Sequence, residues 1–537
     1  MKKVITIIIP ILLGLLLAGC SDNVEYVTYN VVRGGTDSLA AEPRLTRLEF
    51  LAADNPELLV DDVACTITGD SVVECWVPHV MSGKRLVARF TVSGAANALL
   101  QDTALPPAEV LADGERMESG VTAVDFSRPV ALTVVSQMVG EDSRPIRRDY
   151  TVSVHAFTGL PVLWIETDDE APIESKEEYV RATFRLTEDV VTRSPGDVTE
   201  ITGQIRGRGN STWSLPKKPY RLKLDTKTSL LGMPADKSWV LLANYSDKTM
   251  LRNATAMRMG EMSDIGYTPR SHFVELMLNG RYDGTYQLYE KLELARHRID
   301  VAGDGFLLEA DKRAKAEEDG PLVRVAHISA PIVVKEPDVT AGSEDYAYVS
   351  RFLAEADSAL FSDAFRDPDR GWRKYLDMDS FADWYVVNEI AKNNDAYFFA
   401  SCFMNLRRGG KLRMGPLWDY DLAFGNILYN GNYNPEGFYI RFVPWYARLL
   451  RDPDFLARVK ERFSYFYAHR DDILAAINGD AQYLRRAAVE NNNRWGTLYE
   501  MTWQNHDAWG NYQNEVQKLK EWLIHRMDWL RDEFAKM

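Results

Sequence analysis

The chain has 537 residues, 46% of them hydrophobic and 11% aromatic, and its 78 acidic against 63 basic residues give a net charge of -15. That length exceeds what one hydrophobic core usually organises, so two or more domains are expected. The negative balance argues against binding a phosphate backbone, and nucleic acid is not an expected partner.

Lys2 and Lys3 precede an apolar run from Val4 to Leu17 that stops at Leu17-Ala18-Gly19-Cys20. The run is too short to span a bilayer comfortably, and basic, apolar and small residues follow one another as in a secretory signal peptide, here residues 1–19. The small residues before Cys20 resemble a lipobox, so Cys20 is the expected acylated first residue of a bacterial lipoprotein. The remaining chain has no stretch apolar enough to cross a membrane. It is therefore expected at the cell envelope, held by its lipid, on the periplasmic or surface face of an outer membrane. Residues 20–43, mostly polar and without a clear period, read as a tether.

From 44 to 158 short alternating runs recur, among them Leu45-Thr46-Arg47-Leu48-Glu49-Phe50 and Tyr150-Thr151-Val152-Ser153-Val154. Strands at this density between Gly, Asp and Pro predict an Ig-like β-sandwich. The segment holds no acid pair, metal cluster or glycine loop, which makes it a spacer or a binding module. Four cysteines occur, Cys20, Cys65, Cys75 and Cys402. Between Cys65 and Cys75 the chain reads as two short strands around Gly69-Asp70. With Thr68 facing Val72, Cys65 falls opposite Cys75, and a cross-strand disulfide is expected in an oxidising compartment.

The composition shifts near Gly159, where strands begin to alternate with helices and then give way to them. Ser or Asp N-caps and helical spacing predict helices over 343–360 and 379–392, and the segments 445–474 and 514–536 are helical by their apolar period. Residues 159–537 are therefore expected to form a domain with a helical C-terminal part, and the whole chain is α+β.

Three clusters in that domain can carry chemistry. The first is Arg206-Gly207-Arg208-Gly209-Asn210-Ser211-Thr212-Trp213, followed by Lys217-Lys218-Pro219-Tyr220-Arg221-Leu222-Lys223-Leu224-Asp225. Its glycines permit close backbone approach, and strand alternation puts Arg221 and Lys223 on one face with Tyr220, Leu222 and Leu224 on the other, an arrangement able to cradle a polyphosphate. The second is Asn393-Asn394-Asp395 at the end of a predicted helix, and the third is Gly415-Pro416-Leu417-Trp418-Asp419-Tyr420-Asp421, after a hairpin turning at Arg408-Gly409-Gly410. Carboxylates such as Asp419 and Asp421 between aromatic residues are costly to bury alone, and a divalent cation is the partner their oxygens suggest.

Together with Trp239-Val240-Leu241-Leu242-Ala243-Asn244-Tyr245-Ser246-Asp247-Lys248-Thr249, Leu251-Arg252-Asn253 and Tyr282-Asp283-Gly284-Thr285-Tyr286-Gln287-Leu288-Tyr289-Glu290-Lys291, these strings resemble the CotH family, in the family's order, over about residues 160–500. The resemblance implies a divergent kinase-like fold that binds ATP and magnesium or manganese and phosphorylates proteins. By the same carry-over, Asp395 matches the catalytic aspartate and Asp419 the metal-binding aspartate, with Asp421 beside it. Phosphoryl transfer needs an acceptor base, metal and cations in line. Arg208, Lys218 and Lys223 are candidates for the cations, with Asn210 in the same loop, and Glu290 is expected to pair with one of the lysines.

General kinase motifs are missing: there is no Gly-x-Gly-x-x-Gly-x-Val loop and no Asp-Phe-Gly, and the single His469-Arg470-Asp471 follows the metal cluster rather than preceding it. Hydrolase signatures are missing as well, with no His-Glu-x-x-His and no Gly-x-Ser-x-Gly. The competing function is a non-catalytic surface binding or adhesion protein using this fold as a scaffold, in which Trp213 and Trp239 are candidate sugar-stacking rings.

Overall fold

Strands in which every second residue is apolar open the chain in the computed structural model, which describes residues 43–537 apart from 60–61, 78–84, 94–107, 140–143, 188–199 and 302. The signal peptide, Cys20 and the tether up to residue 42 lie outside the described residues. The first eleven strands are β1 (Arg44–Phe50), β2 (Val63–Ala64), β3 (Thr66–Thr68), β4 (Val72–Val77), β5 (Arg85–Val87), β6 (Arg89–Ser93), β7 (Glu109–Ala112), β8 (Glu115–Arg116), β9 (Ala123–Asp125), β10 (Val130–Val139) and β11 (Pro145–Ala156). They form a sheet β2-β1-β6, a sheet β3-β4-β11-β10-β7-β8 and the pair β5-β9, with β11 parallel to β4. Leu48 and Phe50 of β1 pack with Val73, Leu132 and Val152 of the larger sheet into one apolar cluster. Across it the backbone N–H of Leu45 donates to the Tyr150 hydroxyl at 2.9 Å.

The β3–β4 ladder pairs Thr66 with Glu74 and Thr68 with Val72, the register that brings Cys65 opposite Cys75. The expected bond itself is not formed, since Cys65 and Cys75 are both free thiols. Cys65 stands just outside β3, and its N–H bonds to the Leu48 carbonyl at 2.9 Å, which commits its backbone to β1 instead of to the ladder. Its thiol is pushed well up, first by a hydrogen bond with Cys75 and then by burial. Because the apolar cluster of residues 45–152 is closed on itself, a fragment of residues 44–158 is expected to unfold cooperatively on its own. A thermal melt followed by circular dichroism checks this, and a fragment without a transition contradicts it.

Beyond Phe157 the strands close on themselves. They are β12 (Val162–Thr167), β13 (Val180–Thr187), β14 (Ile201–Gly207), β15 (Tyr220–Thr228), β16 (Asp236–Leu242), β17 (Ser271–Leu278) and β18 (Arg281–Glu290), with α1 (Arg252–Glu261) inserted before β17. They form a closed barrel in the order β12-β13-β14-β15-β16-β18-β17. Parallel pairing of β12 with β17, Ile165 opposite Leu278, makes the closure and leaves this sheet no free edge. Ile165, Phe184, Ile205, Leu222, Trp239 and Leu288 fill the interior.

The rest of the chain builds the body against which the barrel packs. It contains β19 (Gly305–Ala310), α2 (Ala316–Asp319), β20 (Leu322–Val323), β21 (Ile332–Glu336), α3 (Glu344–Phe361), α4 (Met378–Ala391), β22 (Cys402–Arg407), β23 (Leu412–Met414), α5 (Pro444–Leu449), α6 (Pro453–Ala468), α7 (Arg470–Trp495) and α8 (Tyr512–Lys536). The five strands order as β20-β21-β19-β22-β23. Ser343 caps α3 by accepting from Tyr346 N, as expected, whereas α4 starts two residues early because Asp377 takes the cap from Ser380 N at 2.9 Å. The stretch 445–474 is helical as expected and runs through α5, α6 and the start of α7, with Asp452 capping α6 and Pro453 at its first position. The chain is thus mixed α+β, with an all-β N-terminal region. No described helix is long and apolar enough to cross a membrane.

Candidate active site

Helix α4 is buried on nearly every side from Ser380 to Ala391, so it serves as a rigid post. It ends at Lys392 in the left-handed region (φ 45°), which swings Asn393-Asn394-Asp395 away from the helix axis. Lys392 then ties that end to the carbonyls of Asn434 and Glu436 at 2.8 and 2.6 Å. The Asp395 carbonyl accepts Phe399 N at 2.9 Å, and the Asn394 side-chain amide donates to Asp395 Oδ1 at 3.3 Å. Asn430 in turn holds Asn394 Oδ1 at 2.7 Å.

The third cluster enters from the opposite side, off the β22–β23 hairpin whose turn carries Gly409 at φ 72°. Asp419 sits at φ 66°, a conformation that Asp tolerates better than most residues and that folds store mainly at functional sites. Ser401 Oγ donates to Asp419 Oδ2 at 3.3 Å, and the Asn393 amide reaches the Asp419 carbonyl at 3.5 Å. Tyr420 is pinned on both ends: its N–H donates to Asn253 Oδ1 at 2.8 Å and its hydroxyl to Asn388 Oδ1 at 2.9 Å. Behind it the buried Asp247 accepts from Thr249 and from the N–H and guanidinium of Arg252, while Arg252 Nε holds the Ala423 carbonyl at 3.1 Å.

Three carboxylates thereby come within electrostatic reach of one another. Burial, then Asp419, pushes Asp395 up to about 6. Asp421 is pushed well up by burial and by its neighbours Asp419, Asp247 and Asp395. A cation facing Asp419 and Asp421 is Arg208, whose guanidinium lies over the Trp418 ring at 5.6 Å; burial pulls it down, against the attraction of Asp419, Glu309 and Asp421. The described residues contain no group of three or more His, Cys, Asp or Glu side chains placed to hold a metal. Two carboxylates, Asp419 and Asp421, fit a magnesium ion all the same, because that ion commonly takes one or two and fills its shell with substrate phosphates and water.

The basic strings divide. On β15, Arg221 and Lys223 share the outer face while Tyr220, Leu222 and Leu224 are buried, as the alternation predicts. Arg221 lies close enough to Arg208 to lower it, and its Nε is buried without a hydrogen-bond partner among the described residues. Lys218 instead closes its own turn, donating to the Trp213 carbonyl at 2.7 Å. Lys223 is exposed on the barrel wall, paired in register with Gln204 and Ser238. Asn210 is exposed and opens the short turn Ser211–Ser214 without capping it by its side chain. The glycines serve packing: a Cβ on Gly207 would stand 2.3 Å from the Trp213 ring, and one on Gly209 2.2 Å from Thr212 Oγ1. Arg208→Met is therefore expected to weaken nucleotide binding about tenfold or more, the scale of one lost charge-assisted contact. Lys223→Ala should leave it unchanged, and titration of ATP into each variant separates them.

Glu290 pairs with neither lysine. It is fully buried, receives Arg270 Nη2 at 2.9 Å and the Tyr267 hydroxyl at 2.8 Å, and thus belongs to a structural ion pair. Trp239 is buried in the barrel, so it presents no face to a sugar. Residues overlooked in the sequence are Arg313, which lowers Asp395 from beside the Phe399 ring, and Glu309 and Tyr429 around the same centre. They come from separate segments without a motif. Lys217, beside Lys218 in the same string, is another overlooked residue. It is buried between the Thr285 carbonyl and Asn491 of α7, and burial pulls it down to about 7.

The family model described as CotH kinase protein matches residues 205–530, which takes in the Arg208 loop, Asp395 and Asp419. The chain belongs to the CotH kinase family. None of the curated proteins matches this CotH chain. Among solved structures, a putative glycoside hydrolase from Bacteroides thetaiotaomicron VPI-5482 matches at 19% identity, over 39% of this chain and 54% of that one, with a TM-score of 0.16. The match thus spans about half of the hydrolase, and its score carries neither fold nor activity to the CotH chain.

Proposed function

We propose that this CotH chain is an envelope phosphotransferase, which moves the terminal phosphoryl group of ATP to a protein hydroxyl with magnesium or manganese. In this reading the barrel and helical body act as a kinase-like domain, and residues 44–158 as an Ig-like spacer above a membrane to which lipidated Cys20 is anchored. The observation that carries it is the meeting of Asp395, Asp419 and Asp421, with Arg208 facing Asp419 and Asp421 and Arg313 facing Asp395. Asp395, raised to about 6 and therefore ionised near neutral pH, is placed to take the acceptor's proton. The acceptor oxygen then bonds the γ-phosphorus, the bond from phosphorus to the bridging oxygen breaks, and ADP leaves with that electron pair. Arg208 and Arg221 neutralise phosphate oxygens. Asp419 and Asp421 would hold the metal, which supplies charge neutralisation when bound.

Incubating the protein with labelled ATP, magnesium and an envelope extract is expected to label protein, with the label lost when EDTA is added. No labelled acceptor with either metal contradicts the reading. Cys20→Ala is expected to release the protein from membranes. Mass spectrometry showing an unmodified N-terminus at another residue would contradict the anchor.

A further inference from the structure

Of the thirteen exposed large hydrophobic side chains among the described residues, nine fall in the three segments 397–399, 428–442 and 499–509. These segments make one face. Leu428 N donates to the Gln504 carbonyl at 2.9 Å, the Tyr397 hydroxyl to the Phe442 carbonyl at 3.1 Å, and Tyr433 stacks on His506 at 4.1 Å. Concentrated exposure of this kind marks a binding surface rather than scattered surface apolarity.

The rings run in order. Tyr397 and Phe399 follow Asp395, and Tyr429, whose phenol feels Asp395 and Asp421, lies parallel to Trp503 at 6.3 Å. Tyr433 then leads to Trp509 and into a cleft of about 270 Å³ whose wall includes Trp522. Trp503 is 63% exposed, so a face of its ring is open to a ligand.

Charge narrows the class of ligand. Several ionisable groups in and beside the cleft are paired, Lys518 with Glu521 at 2.7 Å, His525 with Glu436 at 3.2 Å, His506 with Asp507, and Arg252 with Asp247, while Glu515 of the wall accepts Trp509 N at 2.6 Å. Carboxylates outnumber cations there, which disfavours an anionic ligand, and the chain's net charge of -15 likewise opposes a nucleic-acid strand that would otherwise stack on such rings. Flat rings bordered by carboxylates, imidazoles and the Asn426 amide suit a ligand with apolar faces and hydroxyl edges, because a hydroxyl both donates and accepts beside groups that are already paired. We infer that this aromatic track, from Phe399 past Trp503 to Trp509, binds a neutral polysaccharide chain. This binding does not depend on the acidic centre transferring phosphate.

Native gels containing laminarin, arabinoxylan, α-mannan or dextran test it on the full-length protein. At least one should retard the wild type, and Trp503→Ala and Trp509→Ala should each weaken that retardation about tenfold, the scale of one lost stacking ring. Thermal melts confirm that these exposed substitutions leave the fold intact. Absence of retardation by all four overturns the inference and leaves the face to a polypeptide partner, as does retardation that both substitutions leave unchanged. Magnesium-dependent ATP binding, measured on the same preparation, reports separately on the phosphotransferase reading.

Discussion

Asp395→Asn is expected to bind ATP and magnesium as the wild type does and yet lose transfer by about 10² to 10⁴-fold, the contribution of a positioned general base. The expectation follows from where the carboxylate is held: off the end of α4, fixed by Asn394, and separate from the Asp419–Asp421 segment that would carry the metal. Asp419→Ala should do the reverse and abolish metal-dependent binding. The wild-type rate should rise as pH increases through about 6, where burial and Asp419 place the Asp395 ionisation, because only the deprotonated form accepts the proton. Residual turnover by Asp395→Asn should not follow that curve. Equal loss of binding in both variants would show that the two aspartates do not divide the work.

The second large effect is structural. Arg526 of α8 and Glu389 of α4 form a fully buried ion pair at 2.8 Å, and Arg526 also donates to the carbonyls of Glu389, Pro435 and Gly437. Glu389 accepts the N–H groups of Tyr439 and Arg441 as well, so one pair fixes the helix post, α8 and the loop carrying Asn430 and Tyr439 over the site. Arg526→Ala strands a buried carboxylate and is expected to cost about 3–5 kcal/mol of stability. Because the penalty arises from the uncompensated charge, the double variant Arg526→Met with Glu389→Gln should recover part of it. Urea midpoints for the three proteins decide the matter, and a cost under about 1 kcal/mol for Arg526→Ala contradicts the clamp.

These two expectations draw differently on sequence. The α3 cap at Ser343, the alternation of β15 and the Cys65–Cys75 register are local, set by side chains a few residues apart, and they stand in the structure where the pattern puts them. Asp395 and Asp419 are legible through the resemblance of their strings to the CotH family, and the helix end and hairpin beside them only say where each turns. Closure of the barrel is different in kind. It joins β12 to β17 across more than a hundred residues, and nothing in either strand announces its partner. The same holds for Glu290, whose buried partner Arg270 stands across a β-ladder, and for Arg526, which reads as an ordinary helical cation until α8 packs on α4. At Gly207 and Gly209 the glycine signal was genuine, but what approaches is Trp213 and Thr212 of the same turn.

The central claim is that Asp419, Asp421 and Arg208 form a nucleotide-metal site facing Asp395, and isothermal calorimetry of ATP into the full-length protein tests it most directly. The account predicts saturable binding in the presence of magnesium or manganese that disappears with EDTA and with Asp419→Ala. No heat of binding with either metal in the wild-type protein would contradict it.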